Sequence, residues 1–216
     1  MSRLSEQAID KANTVLANQS PQEVIAYTLE RAERPILTTS FGTHAAVLLD
    51  MVTRQFPQIP VVWVDHGFNT GETYRFARSL IERFELNMKI YAPIQTPAWI
   101  TATLGGVPDI NDPEHAEFTR RVKLEPFDRA LAQLNPDVWL TGIRAEETAL
   151  RSTLDHLSVD GRGVLKASPL LRWREAQLND YLQANDLPSE SNYFDPTKGI
   201  EGRECGLHQD AAATAA

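Results

Sequence analysis

The chain has 216 residues, 42% of them hydrophobic and 23% charged. That composition can bury a substantial core and excludes a disordered or collagen-like protein. With 21 Lys and Arg against 29 Asp and Glu, a formal charge of −8 argues against a nucleic acid polymer or an anionic membrane as partner.

The first six residues lack the charged-then-apolar layout of a signal peptide. No apolar run approaches the ~20 residues needed to cross a bilayer, so the expectation is a soluble, cytoplasmic protein. Residues 1–34 read as helical, with Ser20-Pro21-Gln22-Glu23 forming a capping box that has Pro at the first helical position. After Pro35, Ile36-Leu37-Thr38-Thr39 is a short apolar strand that breaks at Ser40-Phe41-Gly42-Thr43. A helix is expected over 44–55, a second strand over 60–65, a helix over 70–85 and a third strand over 88–91. Residues 92–122 are irregular and rich in Pro and Gly. A helix over 125–134, a strand over 137–141, a hairpin turn at 159–164, a strand over 164–167 and a helix over 173–184 follow. From Asp186 the chain is polar. Residues 1–185 therefore read as one α/β domain and 186–216 as a flexible C-terminal tail that carries Cys205.

Strands that are continuous apolar runs and alternate with helices indicate a mainly parallel sheet with helices on both faces. Ligands of such sheets sit beyond the carboxyl ends of the strands, which selects residues 40–43, 65–69, 142–151 and the segment after Lys166. The loop Thr39, Ser40, Phe41, Gly42, Thr43 offers hydroxyls and backbone N–H groups at a helix start, where an anion such as phosphate can be held. It matches neither of the familiar Gly-rich nucleotide loops. Asp65 ends a strand and can accept hydrogen bonds from a sugar or base.

Charge is unevenly spread. Residues 120–174 hold ten basic and seven acidic side chains, a balance of +3, so the remainder carries −11. A locally basic stretch in an acidic protein suits a small, highly charged anion. Lys123, Arg144 and Arg151 flank the strand-end loops and are the candidates; Arg172 and Arg174 read as solvated charge. The lone cysteine excludes an internal disulfide, a Cys-rich zinc site and an iron–sulfur cluster held by four thiolates of this chain. Cys205 lies in Arg203-Glu204-Cys205-Gly206-Leu207-His208, where Arg203 and His208 favour a thiolate and Glu204 opposes it. With no second cysteine to resolve an adduct, a catalytic thiol here needs a thiol from another molecule. His44, His66, His115 and His156 show no metal-ligand spacing and read as loop or surface residues; no metal site is expected.

Together these pieces resemble the 3′-phosphoadenylyl sulfate (PAPS) and adenylyl sulfate (APS) reductases of sulfate assimilation, over about residues 35–210. The most specific element is Glu204-Cys205-Gly206-Leu207-His208. Supporting blocks are Ser40-Phe41-Gly42, Asp65-His66-Gly67-Phe68 with Glu72-Thr73-Tyr74-Arg75-Phe76, Lys123-Leu124-Glu125-Pro126, Gly142-Ile143-Arg144 with Arg151, and Arg162-Gly163-Val164-Leu165-Lys166. The resemblance implies an adenine nucleotide alpha-hydrolase-like, Rossmann-like fold and a sulfonucleotide substrate. It implies that residues 39–43 hold phosphosulfate or phosphate and that Asp65 and Gly67 border the nucleoside. Lys123, Arg144 and Arg151 would neutralise the anion, with Gly142 and Lys166 among the substrate-binding positions. Cys205 would attack the sulfate sulfur, assisted by His208, and external thioredoxin or glutaredoxin would release sulfite. Relatives of this kind are often homodimers; the oligomeric state itself is open.

The Cys-Cys pair and the later Cys-x-x-Cys of iron–sulfur-dependent APS reductases are absent, Phe118-Thr119-Arg120-Arg121 standing in the first place. That matches the cluster-free branch, which binds no cofactor and is classically PAPS-specific. An APS-specific cluster-free reductase and a non-catalytic nucleotide-binding homologue are the alternatives. An ATP-dependent adenylating enzyme is disfavoured because Thr43-His44-Ala45 lacks the Asp and Ser of its loop. Two departures stand out: a Gly-Tyr-x-Ser-Ile-Gly-like block is missing before Cys205, and Ala145 and Glu147 replace the usual Arg and Gln near Arg144.

Overall fold

A computed structural model describes residues 5–198 and Leu207. Two capped helices open the chain. Helix α1 (Glu6–Leu16) starts at Ser5, and α2 (Pro21–Leu29) starts at the expected capping box, in which Ser20 and Glu23 bond each other's backbone N–H. Strand β1 (Pro35–Thr39), α3 (Ala45–Thr53), β2 (Pro60–Val64), α4 (Gly71–Phe84) and β3 (Asn87–Tyr91) follow in strict alternation. Then come α5 (Pro97–Leu104), α6 (His115–Thr119), α7 (Glu125–Leu134), β4 (Val138–Leu140), α8 (Ala149–Ser152), β5 (Leu157–Val159), β6 (Leu165–Ala167) and α9 (Glu175–Ala184).

The six strands form one sheet in the order β3-β2-β1-β4-β6-β5, parallel except for the β5–β6 pair. That pair is the hairpin expected around residues 159–164. Successive strand residues face opposite cores, as a pleated strand buried on both sides requires. Leu37, Val61, Trp63, Val138 and Leu140 pack with α1–α4 and α9, whereas Ile36, Val62 and Trp139 pack with Phe127, Ala130 and Leu131 of α7.

Three sequence expectations change. Residues 92–122 are more regular than composition suggests. Here α6 runs through a π-helical turn, Arg120–Leu124, straight into α7. Pro126 explains the turn: it has no N–H to return to the carbonyl four residues back, so the α ladder cannot continue unbroken. Next, residues 186–198 pack against the body. Glu190 N–H donates to Thr43 O, Thr70 Oγ1 donates to Asn192 O, and Glu190, Asp195 and Thr197 are buried. Finally, His66, His115 and His156 are buried, not surface residues.

Candidate active site

Strand β1 lies between β2 and β4, both parallel to it, so the chain crosses from one side of the sheet to the other at the β1–β4 edge. Parallel sheets open a crevice beyond the strand ends at such a switch point. A cleft of about 440 Å³ lies there, lined by Thr38–Ser40 and Gly42–Ala45 after β1 and by Thr141–Arg144 after β4.

Five of the expected residues, Thr39, Ser40, Gly42, Thr43 and Gly142, line this cleft. Between them Phe41 adopts φ 51° and is fully buried, its ring edge-on to Trp63 at 4.9 Å. A left-handed backbone costs a bulky L-residue about 1–2 kcal/mol, which burial of the ring offsets. Its N–H bonds Thr39 Oγ1 at 3.0 Å. A left-handed residue in a strand-to-helix loop aligns successive N–H groups as an anion cradle. Phe41 itself does not line the cleft: its side chain anchors the loop.

Lys123, Arg144 and Arg151 all line the cleft, and all are already engaged with carboxylates. Lys123, on the π turn, is 6% exposed and pairs with equally buried Asp195, with Thr197 Oγ1 3.3 Å from its Nζ. Burial alone pushes the Asp195 carboxyl up. The charge and hydrogen bond of Lys123, with the Thr197 hydroxyl, outweigh it and bring it down to about 2. Arg144 pairs with Glu146 and lies 3.7 Å from Glu147, and Glu147 also holds Arg151, whose side chain is 4% exposed. The three cations are thus fixed in place by acids.

Asp65, Gly67 and Lys166, also expected at the substrate, are not among the residues lining this cleft. Asp65 Oδ1 accepts from Gly67 N–H (3.0 Å), Asn69 Nδ2 (2.9 Å) and Tyr74 OH (2.8 Å), so the carboxylate organises its own turn. Gly67 has φ +81°, and a Cβ there would sit 2.4 Å from Pro97 Cγ; its glycine serves the backbone. Lys166 lies mid-strand in β6, buried opposite Trp139 and Ser158. His66 Nδ1 accepts from Phe68 N–H at 3.0 Å, and burial pushes this imidazole down to about 4, with Asp195 opposing and Lys123 reinforcing the shift. It is neutral at pH 7. Cys205 and His208 lie outside the described residues. Leu207, two positions past Cys205 in the chain, lines the cleft and packs with the Phe127–Trp139 cluster.

Sequence reasoning missed Tyr193, Asp195 and Lys198, which line the cleft from the segment read as tail. The ring of Tyr193 lies over Gly42, 3.5 Å from where a Cβ would be. The available signal was Lys123 between Val122 and Leu124: a lysine among apolar neighbours needs a buried acid.

This geometry defines a class: an α/β protein with a strand-to-helix loop, Lys and Arg side chains and a cleft of about 440 Å³ gathered at the switch point. A family model described as "Phosphoadenosine phosphosulfate reductase domain" matches residues 34–199. Curated proteins named phosphoadenosine 5′-phosphosulfate reductase are similar along nearly their whole length. The one from Thiocapsa roseopersicina is 35% identical over 94% of both chains, and the one from Sodalis glossinidius is 36% identical over 94% of this chain and 92% of its own. Among solved structures, a phosphoadenylyl-sulfate (PAPS) reductase from Candida auris, crystallised as a phosphate complex, superposes with a TM-score of 0.76 at 26% identity, covering 87% of this chain and 90% of its own. Candida glabrata FMN adenylyltransferase shares the fold alone, with a TM-score of 0.58 at 15% identity over 88% of this chain and 61% of its own. The chain belongs to the phosphoadenosine phosphosulfate reductase family, and is an oxidoreductase of that family.

Proposed function

We propose that this protein reduces PAPS to sulfite and adenosine 3′,5′-bisphosphate in sulfate assimilation, through a cysteine S-sulfonate on Cys205. The single supporting observation is the placement of Leu207, the fourth residue of Glu204-Cys205-Gly206-Leu207-His208, in the wall of the switch-point cleft beside the anion-cradling loop.

In this reading the 39–43 loop holds the phosphosulfate and Gly142 lets the β4 loop approach the nucleotide closely. The Cys205 thiolate attacks the sulfate sulfur, forming an S–S bond, while the bond from sulfur to the bridging phosphate oxygen breaks and its electron pair leaves with the nucleotide. His208 positions the thiolate or the sulfate. A thiolate approaching a sulfuryl group is repelled unless cations screen it, the task of Arg144 and Arg151. An external dithiol from thioredoxin or glutaredoxin then attacks the adduct, sulfite departs, and the second thiol closes the carrier's disulfide; its two electrons are those that reduce sulfate to sulfite. No bound cofactor takes part in this scheme, and the reaction is cytoplasmic.

The test is sulfite release from PAPS and from APS, side by side, with thioredoxin and with glutaredoxin. Release from PAPS with either carrier supports the reading. Release only from APS replaces the substrate, and release from neither favours a binding protein.

A further inference from the structure

The cleft is lined by four cations, Lys123, Arg144, Arg151 and Lys198, and by three carboxylates, Glu147, Glu175 and Asp195. Their balance is +1. Lys123 is committed to Asp195, Arg144 to Glu146 and Glu147, and Arg151 to Glu147. Lys198 differs from all three: it lines the cleft, and among the described residues its ammonium has no ion pair. With Glu146, the partner of Arg144, counted as well, the set is neutral, and without the Lys198 charge it is −1.

Its position is built, not incidental. Lys198 N–H donates to Asp195 O, and Thr197 N–H and Oγ1 both donate to Asp195 Oδ1 at 3.0 and 2.6 Å. Asp195 is in turn held by Lys123 at the floor. Three residues before Lys198 the chain is thus anchored to the cleft wall, and five residues before it Tyr193 lies over Gly42 of the cradle. Residues 193–198 form a strap along the cleft, lining it with Tyr193, Asp195 and Lys198, and bring to it one cation with no ion pair among the described residues.

We infer that Lys198 is a substrate-contacting residue, that its ammonium pairs with a phosphoryl or sulfuryl oxyanion of the bound nucleotide, and that it sets how much negative charge the cleft accepts. The inference rests on the proposed reading of this cleft as the sulfonucleotide site. Lys123, by contrast, anchors the strap: its charge is spent on Asp195. A cation that no acid among the described residues neutralises should matter more as the ligand becomes more anionic.

The test is calorimetric binding of two reaction-product nucleotides, 5′-AMP and adenosine 3′,5′-bisphosphate, to the full chain and to its Lys198→Gln and Lys198→Arg variants. Lys198→Gln should weaken the bisphosphate about tenfold, the loss of one charge-assisted contact, and AMP by a distinctly smaller factor. Lys198→Arg should restore most of the difference, and the thermal midpoints of all three proteins should agree. Equal affinities of wild type and Lys198→Gln for the bisphosphate would overturn the role of Lys198 while leaving the sulfonucleotide reading intact. Failure of the wild type to bind either nucleotide would overturn both.

Discussion

Replacing Asp195 with Asn tests the internal logic of the cleft, because it removes one charge and almost no volume. The Asp195 carboxyl titrates at about 2 in the folded chain against an ordinary 3.8. A folded-state pKa lowered this far contributes roughly 2–3 kcal/mol at neutral pH, fully present above the unfolded value and lost as pH falls through about 2. The larger effect is on its partner. Lys123 is 6% exposed, and removing the acid that neutralises a buried cation costs about 3–5 kcal/mol. The Thr197 hydroxyl, 3.3 Å from Nζ, remains in place, so the lower end applies. About 3 kcal/mol corresponds to a fall in Tm of about 6–12 °C for a chain of this size. Scanning calorimetry measures it, and hydrogen exchange at the Thr197 and Lys198 amides, both bonded to Asp195, reports whether the strap loosens first. Replacing the pair together, Lys123→Met with Asp195→Leu, should recover at least half of the loss, since the cost lies in the orphaned charge and not in the space. A Tm within about 2 °C of wild type with unchanged amide exchange in Asp195→Asn would refute the reasoning.

Gly67→Ala should lower stability by roughly 2 kcal/mol or more, because φ +81° strains an L-residue and the new methyl would meet Pro97 at 2.4 Å; chemical denaturation measures it. His66, pushed down to about 4, takes up protons more readily unfolded than folded. Its contribution, up to about 3 kcal/mol, is complete above pH 6.5 and disappears as pH falls through 4; the stability profile of His66→Gln should be flatter across that interval. Arg151→Gln should depress kcat for sulfonucleotide reduction more than it raises KM, as expected when a group acts chiefly on developing charge; a pure KM effect would assign Arg151 to ground-state binding.

Much of this architecture is legible in the sequence because local chemistry and tertiary packing agree. The apolar runs 36–38 and 60–64 can only be strands covered on both faces, and Ser20-Pro21-Gln22-Glu23 specifies a helix start that the structure repeats atom for atom. The place of the 39–43 loop at the cleft is legible as well, since it falls where a strand hands over to a helix. What stays hidden depends on long-range pairing. That Lys123 pairs with Asp195, 72 residues on, cannot be read from its neighbours in the chain. Nor is it legible that Gly67, Asn69 and Tyr74 bond the Asp65 carboxylate. The strap reads as tail for the same reason: Asn192-Tyr193-Phe194-Asp195-Pro196 has no helical or strand periodicity, and its order comes from single contacts to Thr43, Thr70 and Lys123. The buried histidines mislead in the same way, because burial in a loop (His66, His156) or in a five-residue helix (His115) leaves no periodic trace.

The most direct measurement of the central claim is intact-protein mass spectrometry after mixing the reduced chain with PAPS in the absence of any thiol carrier. The account predicts a gain of one SO₃ group, located at Cys205, absent from Cys205→Ser and discharged as sulfite when thioredoxin is added. An unmodified Cys205, or an adduct that persists in Cys205→Ser, would contradict it.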